Sequence, residues 1–241
     1  MTLFIEHMSV ALKGATIVKN LELSFGGPGW LGIVGANGSG KTTFLRALCG
    51  RLPIAAGKIT IDGNDLSLNR AERARRISIA PEAHLLPGSV TGEQLLAIAA
   101  GASNWRSETH ELNHLYDALG LGAFINRRIS TYSAGMRQRL AIFCPFVTGA
   151  LHVLLDEPFN WLDPVAAYDL KQQLSGLSRS RYTLVTALHD LSSLYQLCDE
   201  GILLANGEIR LRLNAAQLAA SERGAEAFEN EVITHLRNAE V

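Results

Sequence analysis

The sequence predicts an α/β fold with a mixed sheet, an N-terminal antiparallel β subdomain and an inserted α-helical subdomain. Three observations support this prediction. The apolar run "GWLGIV" leads through a glycine-rich loop into "FLRALCGRL", where apolar residues recur at helical spacing. Two further apolar runs of strand length, "HVLLDEP" and "YTLVTALHD", stand in the second half of the chain. Between Glu82 and about Ser130 the spacing is helical and few residues are β-branched.

The remaining elements follow from local patterns. The chain alternates in strand fashion to about residue 30, with "GG" and "PG" turns. The segment "GKITIDGNDL" predicts a strand and a turn, and "RRISIAPE" predicts a strand that ends by Pro81. Between them, "RAERARR" predicts a short helix whose arginines lie on a solvated face. The stretch after Asn214 predicts a charged amphipathic helix.

Composition narrows the class of protein. The 241 residues are 47% hydrophobic and 19% charged, as in a globular protein with an ample core. The net charge of −1 argues against a nucleic-acid-binding surface. The longest apolar stretch, Leu140 to Leu155, is too short to span a bilayer and is interrupted by Pro145, Gly149 and His152. Because Cys49, Cys144 and Cys198 stand far apart in apolar surroundings, we expect buried thiols and a reducing cytoplasm.

The segment "GANGSGKTT" fits the P-loop template at every fixed position. Its glycines let consecutive amide groups turn toward one point, and the following helix adds the positive end of its dipole. A nucleoside triphosphate is the expected ligand, with Lys41 at the β- and γ-phosphates and the Thr42 hydroxyl on Mg²⁺. An ordinary glycine-rich turn is the alternative. The residues predicted to bind are Gly35, Asn37, Gly38, Ser39, Gly40, Lys41, Thr42 and Thr43.

A pair of carboxylates follows the apolar run of "HVLLDEP". The run predicts a buried strand whose carboxyl end presents Asp156 and Glu157, where α/β sheets place their ligands. Asp156 is expected to hold Mg²⁺, through a water molecule, and Glu157 to polarise the attacking water. A solvated pair at a strand end is the alternative.

Two further segments bring candidate residues. "YSAGMRQRL" places Ser133 and Gly135 just before a helix, which suits a phosphate group, and its arginines face solvent or an interface. "VTALHD" ends a strand at His189. A histidine in that place is often a packing or capping residue, but its position one strand after the carboxylates favours a role in the site.

As a set, these motifs resemble the nucleotide-binding subunit of ABC transporters over nearly the whole length, from about residue 3 to about residue 213. The order of the P-loop, the "YSAGM" signature, "LLDEP", "LD" and a late histidine is specific to that family. The resemblance implies a P-loop NTPase core and one cassette over 1–241. We assign the nucleotide-binding core to 1–81 and 151–213, the helical signature subdomain to 82–150 and a helical tail to 214–241.

The resemblance also implies roles for individual residues. In this family two cassettes close head to tail, and the signature of one covers the ATP on the P-loop of the other. The γ-phosphate then holds two subunits together until hydrolysis releases them. By position, Lys41, Glu157 and His189 are catalytic; Ser133, Gly135 and Asp163 contact nucleotide across the dimer; and Thr42, Glu82 and Asp156 are assigned to Mg²⁺.

Five positions depart from the family pattern. Glu82 stands where glutamine is usual; some exporter subunits resemble this chain in that respect, and a carboxylate can still ligate Mg²⁺. Ala134 and Met136 replace the usual glycine and glutamine of the signature, which predicts weaker ribose contact. Leu12 stands where an aromatic residue commonly stacks on adenine, which predicts loose base selectivity. Trp161 replaces a small residue, and either packs at the dimer seam or is an ordinary half-buried tryptophan.

The resemblance implies an ATPase that powers transport through a separate multi-span membrane subunit, on whose cytoplasmic face it docks. The partner's helix is expected in a groove between Glu82 and Glu93, and the second cassette is a copy of this chain or a homologue. The "PE" and signature variants, with the lack of a C-terminal regulatory domain, favour export. The alternatives are a mechanical ABC ATPase acting on ribosomes or DNA, against which one cassette without heptads and the net charge argue, and a P-loop kinase.

Overall fold

A computed structural model describes residues 2–101 and 110–223, together with Val232 and Thr234. In these residues the strands are β1 (Thr2–Leu12), β2 (Ala15–Gly26), β3 (Gly29–Val34), β4 (Ala56–Ile61), β5 (Asn64–Asp65), β6 (Ile77–Ile79), β7 (His152–Asp156), β8 (Thr183–Leu188), β9 (Glu200–Ala205) and β10 (Glu208–Leu213). The helices are α1 (Lys41–Leu48), α2 (Arg70–Arg76), α3 (Gly92–Ala100), α4 (His110–Ala118), α5 (Ala134–Phe143), α6 (Pro164–Ser180), α7 (Leu191–Leu197) and α8 (Ala215–Arg223). Helix α8 is the first described part of the helical tail predicted over 214–241, and most of the tail beyond α8 lies outside the described residues.

The strands form two sheets, and the predicted α/β class is confirmed. The first sheet has the order β2-β1-β4-β5 and is antiparallel throughout. The second has the order β10-β9-β3-β8-β7-β6 and is mixed, because β10 runs antiparallel to β9 while the other neighbours are parallel. Strands β3 and β8 are buried along their whole length, which explains their continuous apolar sequences.

The parallel strands place the ends of three motifs together. Strand β3 lies between β8 and β9, and β7 pairs with β8 on the other side. In parallel strands the carboxyl ends meet at one edge of the sheet. The P-loop after Val34, the carboxylates at the end of β7 and His189 after β8 therefore share that edge.

Two apolar clusters support this arrangement. One lies between the antiparallel sheet, α1 and the second sheet, and includes Phe44 and Ile33. The other joins the opposite face of the second sheet to α3–α6, with Trp30 and Phe143 among its fully buried side chains. The helical segment thus packs against the sheet through a shared core.

Local capping fixes the helical segment. Thr91 and Gln94 form a capping box at the start of α3, and the Ser133 hydroxyl caps α5 by accepting a hydrogen bond from the Met136 amide at 3.2 Å. The buried Tyr132 hydroxyl donates to the Phe124 carbonyl at 2.8 Å, which anchors the signature loop to the turn before it. In the described residues, no helix combines the length and the apolar character needed to cross a bilayer.

The structure differs from the sequence-based expectation at one arginine of α2. Arg73 is fully buried, and its Nη1 donates to the carbonyls of Leu66 and Ser67 at 2.6 and 2.5 Å. Burial lowers the pKa of its guanidinium. The prediction of a solvated face is therefore wrong for Arg73, because the loop after β5 closes over this side of the helix.

Candidate active site

The glycine-rich loop joins β3 to α1 in the conformation that its sequence predicts. Gly38 and Gly40 have φ values of +82° and +106°, in the left-handed region that favours glycine. At Gly35 the constraint is space, because a Cβ atom there would lie 2.1 Å from the Leu204 carbonyl oxygen. Helix α1 begins at Lys41 directly after this loop, so its first amide groups face the loop.

Lys41 lies inside the loop. Its Nζ donates hydrogen bonds to the carbonyl oxygens of Gly35 at 2.6 Å and Ala36 at 3.1 Å. Burial lowers the pKa of this ammonium group, while the nearby carboxylates of Glu157 and Asp156 oppose that shift. The loop carbonyls thus hold the lysine side chain in the middle of the predicted phosphate site.

Thr42 and Asp156 meet between α1 and β7. The Thr42 hydroxyl donates to Asp156 Oδ2 at 2.7 Å. Burial raises the pKa of Asp156, and the hydrogen bond from Thr42 partly offsets that effect. The other carboxylate oxygen, Oδ1, is buried without a hydrogen-bond partner in the described residues. A hydroxyl beside a carboxylate oxygen with spare acceptor capacity suits a Mg²⁺ ion, which prefers oxygen ligands.

Glu157 and His189 form the next contact along this edge. His189 Nε2 lies 2.6 Å from Glu157 Oε2, and Asn160 Nδ2 donates to the same oxygen at 3.0 Å. The Glu157 backbone has a φ of +53° and its amide donates to the Ala187 carbonyl at 3.1 Å, which fixes the turn after β7. The structure therefore brings the predicted base and the predicted histidine into direct contact.

Lys41, Thr42 and Glu157 line a cleft of 310 Å³. Its walls are residues 37–43 and Glu157 on one side and Leu12 and Ile17 from the antiparallel sheet on the other. Leu12 thus occupies the wall that the sequence assigned to the base. It offers an aliphatic surface, as expected, and Ile17 extends that surface; sequence inspection missed Ile17, which has no motif to mark it.

The three residues predicted to contact nucleotide across the dimer, Ser133, Gly135 and Asp163, lie outside this cleft. Ser133 is exposed at the start of α5, and Gly135 lies against the backbone of Trp161, whose carbonyl oxygen would be 3.0 Å from a Cβ at that glycine. Asp163 caps α6 through the Ala166 amide at 2.9 Å and pairs with Arg139 at 2.7 Å. The backbone hydrogen bond from Ala166 lowers the pKa of Asp163.

Glu82 lies on a second cleft of 610 Å³, between the sheet edge and α5. Its carboxylate is in contact with the Arg46 guanidinium. Thr42, Asp156 and Glu157 line the same cleft. Sequence inspection missed Arg46, although its place four residues after Thr42 on α1 puts the two on one helix face. In the part of the chain that the structure describes, no three acidic, histidine or cysteine side chains gather as a metal site.

The sequence also matches known proteins. The sequence model of the family described as "ABC transporter" matches residues 18–160. The ferric enterobactin transport ATP-binding protein FepC of Escherichia coli strain K12 is 31% identical over 212 residues, which are 85% of this chain and 78% of that protein. The chain belongs to the ABC transporter family. A second relative, the hemin import ATP-binding protein HmuV of Pseudomonas entomophila strain L48, is 29% identical over 84% of this chain and 83% of that protein.

Solved structures of ABC proteins share the fold. An ATP-binding subunit of an ABC transporter superposes with a TM-score of 0.83 at 22% identity, over 98% of this chain and all of that one. The ATP-binding cassette MJ0796, solved as a dimer in a post-hydrolysis state bound to ADP and Pi, has a TM-score of 0.76 at 20% identity, over 88% of this chain and 98% of that one. This ABC cassette is an ATPase that hydrolyses ATP to drive transport, and cassettes of its family pair with transmembrane subunits and dimerise.

Proposed function

We propose that this cassette binds Mg-ATP in the cleft around Lys41 and hydrolyses it with Glu157 as the base. The observation that carries the proposal is the convergence of Lys41, Thr42, Asp156, Glu157 and His189 at one edge of the parallel strands. The cycle powers a membrane partner from the cytoplasmic face of the membrane. The core is assigned to 1–81 and 151–213, the signature subdomain to 82–150 and the tail to 214–241.

The contacts support a division of roles. Lys41 and the amides of the loop bind the phosphates, and Thr42 and Asp156 hold Mg²⁺, which neutralises charge on the phosphate oxygens. Glu157 accepts the proton of the attacking water. His189, 2.6 Å from that carboxylate, orients it and binds the terminal phosphate. Glu82 is the second carboxylate assigned to Mg²⁺, although in this structure Arg46 holds it.

A second cassette completes the site. Ser133, Gly135 and Asp163 do not line the cleft of their own chain. We propose that they face the nucleotide held by a second copy of this chain or a homologue. The exposed side chains of Trp161, Val165 and Tyr168 support this arrangement, because they leave apolar surface beside Asp163 for a partner to cover.

The membrane partner fixes the direction of transport. We propose export on the basis of Glu82 and the signature variants; the name of HmuV, which states import, points the other way. Reconstitution with the partner decides between them. With the cassette outside, ATP-driven accumulation of cargo inside inverted vesicles supports export, and release of preloaded cargo contradicts it.

The proposed site is tested with three variants. Glu157→Gln is expected to keep ATP binding and lower turnover by about 10²–10⁴-fold, because the proton acceptor is lost, and to accumulate as an ATP-bound dimer in size-exclusion chromatography. Ser133→Arg in that background is expected to bind nucleotide as a monomer. Lys41→Ala is expected to weaken binding itself.

Each variant has an outcome that contradicts its assignment. If Glu157→Gln turns over ATP at nearly the wild-type rate, Glu157 is not the base. If Ser133→Arg in that background dimerises normally with ATP, the contact of Ser133 with nucleotide on the second cassette is refuted. If Lys41→Ala binds ATP with unchanged affinity, the assignment of the phosphate site is refuted. Recovery of the protein with ribosomes, and not with a multi-span membrane protein, contradicts the role in transport.

A further inference from the structure

The ion pair between Arg46 and Glu82 lies next to the predicted Mg²⁺ site. Arg46 Nη2 contacts Glu82 Oε1, and both side chains are partly buried, with 38% and 40% of their surfaces exposed. Arg46 belongs to α1, one turn after Thr42, whereas Glu82 precedes the 3₁₀ turn Ala83–Leu85 that packs on α5. The pair therefore connects the P-loop helix to the segment that enters the helical subdomain.

This contact changes the charge balance of the cleft. Three carboxylates, those of Glu82, Asp156 and Glu157, line the same cleft of 610 Å³. A nucleoside triphosphate bound beside Lys41 adds several more negative charges, and repulsion between like charges in a partly desolvated cleft is poorly screened. Arg46 is in direct contact with Glu82, whose other carboxylate oxygen lies 3.7 Å from His84 Nε2. It also acts on Asp156, where its positive charge lowers the pKa that burial raises.

We propose that Arg46 is a positioning residue that neutralises the charge of Glu82 and holds its carboxylate where the chain enters the helical segment. With its charge neutralised, this carboxylate can lie beside bound Mg-ATP without repelling the phosphates. An amide at position 82 would need no such partner, since it carries no charge. The role of Arg46 is thus conditional on Glu82. This inference rests on the proposed function, because it takes the triphosphate to bind beside Lys41 and Thr42.

A double-mutant cycle tests the dependence. The affinity for a non-hydrolysable fluorescent ATP analogue is measured with Mg²⁺ and with EDTA for the wild type, Arg46→Met, Glu82→Gln and the double variant. We expect Arg46→Met to weaken binding about tenfold, which corresponds to about 1.4 kcal/mol. In EDTA, where Mg²⁺ ligation by Glu82 plays no part, the double variant is expected to return to within about twofold of the wild type, because the uncompensated charge is gone.

Two further variants make the comparison specific. Arg137 lines the same cleft, and its Nε lies 3.5 Å from the Tyr132 carbonyl. Arg137→Met therefore removes an equal charge from the same cleft, and Glu82→Gln is expected to change its affinity no more than it changes that of the wild type. Arg46→Lys keeps the charge without the planar fork, so we expect an affinity closer to the wild type than that of Arg46→Met. Melting temperatures accompany every measurement, and Arg46→Gln, which also removes the charge, replaces Arg46→Met in every comparison if Arg46→Met does not fold.

The outcomes separate this inference from the proposed function. If Glu82→Gln fails to restore Arg46→Met, or if it restores Arg137→Met equally, the conditional role of Arg46 is refuted. If Arg46→Lys binds as weakly as a folded Arg46→Met, charge neutralisation is refuted. Lys41→Ala serves as the reference: unaltered binding in that variant overturns the phosphate site itself, whereas weak binding there with normal binding in Arg46→Met overturns only the role of Arg46.

Discussion

A buried histidine at the start of β7 predicts a specific loss of stability in acid. His152 is 4% exposed, and both ring nitrogens are buried without hydrogen-bond partners in the described residues. Burial lowers its pKa from the ordinary 6.5; Asp62 opposes this shift, and Arg76 adds to it. The native state therefore keeps the ring neutral at a pH where the unfolded chain takes up a proton.

The size of the effect follows from proton linkage. A group whose pKa is depressed by folding destabilises the native state as the pH falls below the unfolded pKa, since only the unfolded state gains the proton. With an unfolded pKa of 6.5, the contribution is below about 0.1 kcal/mol at about pH 7.5 and at most about 1.4 kcal/mol at about pH 5.5. The loss is confined to the window between the two pKa values.

Replacing the histidine removes the dependence. We expect His152→Leu to lose up to about 1.4 kcal/mol less unfolding free energy than the wild type between about pH 7.5 and about pH 5.5, measured by urea denaturation at both pH values. His84→Gln is the control, because that ring is largely exposed and is expected to follow the wild type. Equal acid losses in wild type and His152→Leu would show that the folded state protonates His152 as easily as the unfolded chain, and would refute the reasoning.

Two shorter predictions concern the thiols and the exposed tryptophan. Burial raises the pKa of Cys144 to about 12 and that of Cys198 well above its ordinary value. Neither thiol is therefore expected to react with a thiol reagent at about pH 8 until urea unfolds the protein. Rapid labelling of both thiols in the native protein would contradict their burial. Trp161 is exposed, and in Glu157→Gln with Mg-ATP its fluorescence emission is expected to shift to shorter wavelength as a second cassette covers it. The shift is expected to vanish in Glu157→Gln/Trp161→Phe. A shift that persists in that variant comes from another tryptophan and contradicts the prediction.

The sequence predicts best what short segments determine by themselves. The P-loop conformation depends on glycines within nine residues, because Gly38 and Gly40 need left-handed backbone and Gly35 needs space. The strands β3 and β8 are predictable because burial on both faces leaves a continuous apolar run. The predicted mixed sheet and antiparallel sheet follow from the same patterns, and both are confirmed.

Interactions between distant segments explain what the sequence did not reveal. In "RAERARR" the arginines look alike, and only the loop carbonyls of Leu66 and Ser67 select Arg73 for burial. Arg46 and Glu82 are 36 residues apart, so no local pattern pairs them. His152 reads as an interruption of an apolar stretch, yet it is buried beside Thr183, its neighbour across the β7–β8 ladder. Such pairings depend on strand order, which composition and periodicity do not specify.

The partners of the site residues also indicate how nucleotide binding changes the site. Lys41 donates to carbonyls of its own loop, and the hydroxyl of Thr42 donates to Asp156. In the proposed site, a phosphate oxygen would replace or share the partners of Lys41, and Mg²⁺ would share the hydroxyl of Thr42, so part of the intrinsic binding free energy would be offset by contacts that are lost. Two atoms differ: Ser39 Oγ and Asp156 Oδ1 are buried without hydrogen-bond partners in the described residues, so a ligand contact there displaces no protein contact. In the proposed site, binding would therefore gain most at the loop serine and the Asp156 carboxylate, whereas Lys41 would exchange partners, and this exchange would tie the loop conformation to the presence of the phosphates.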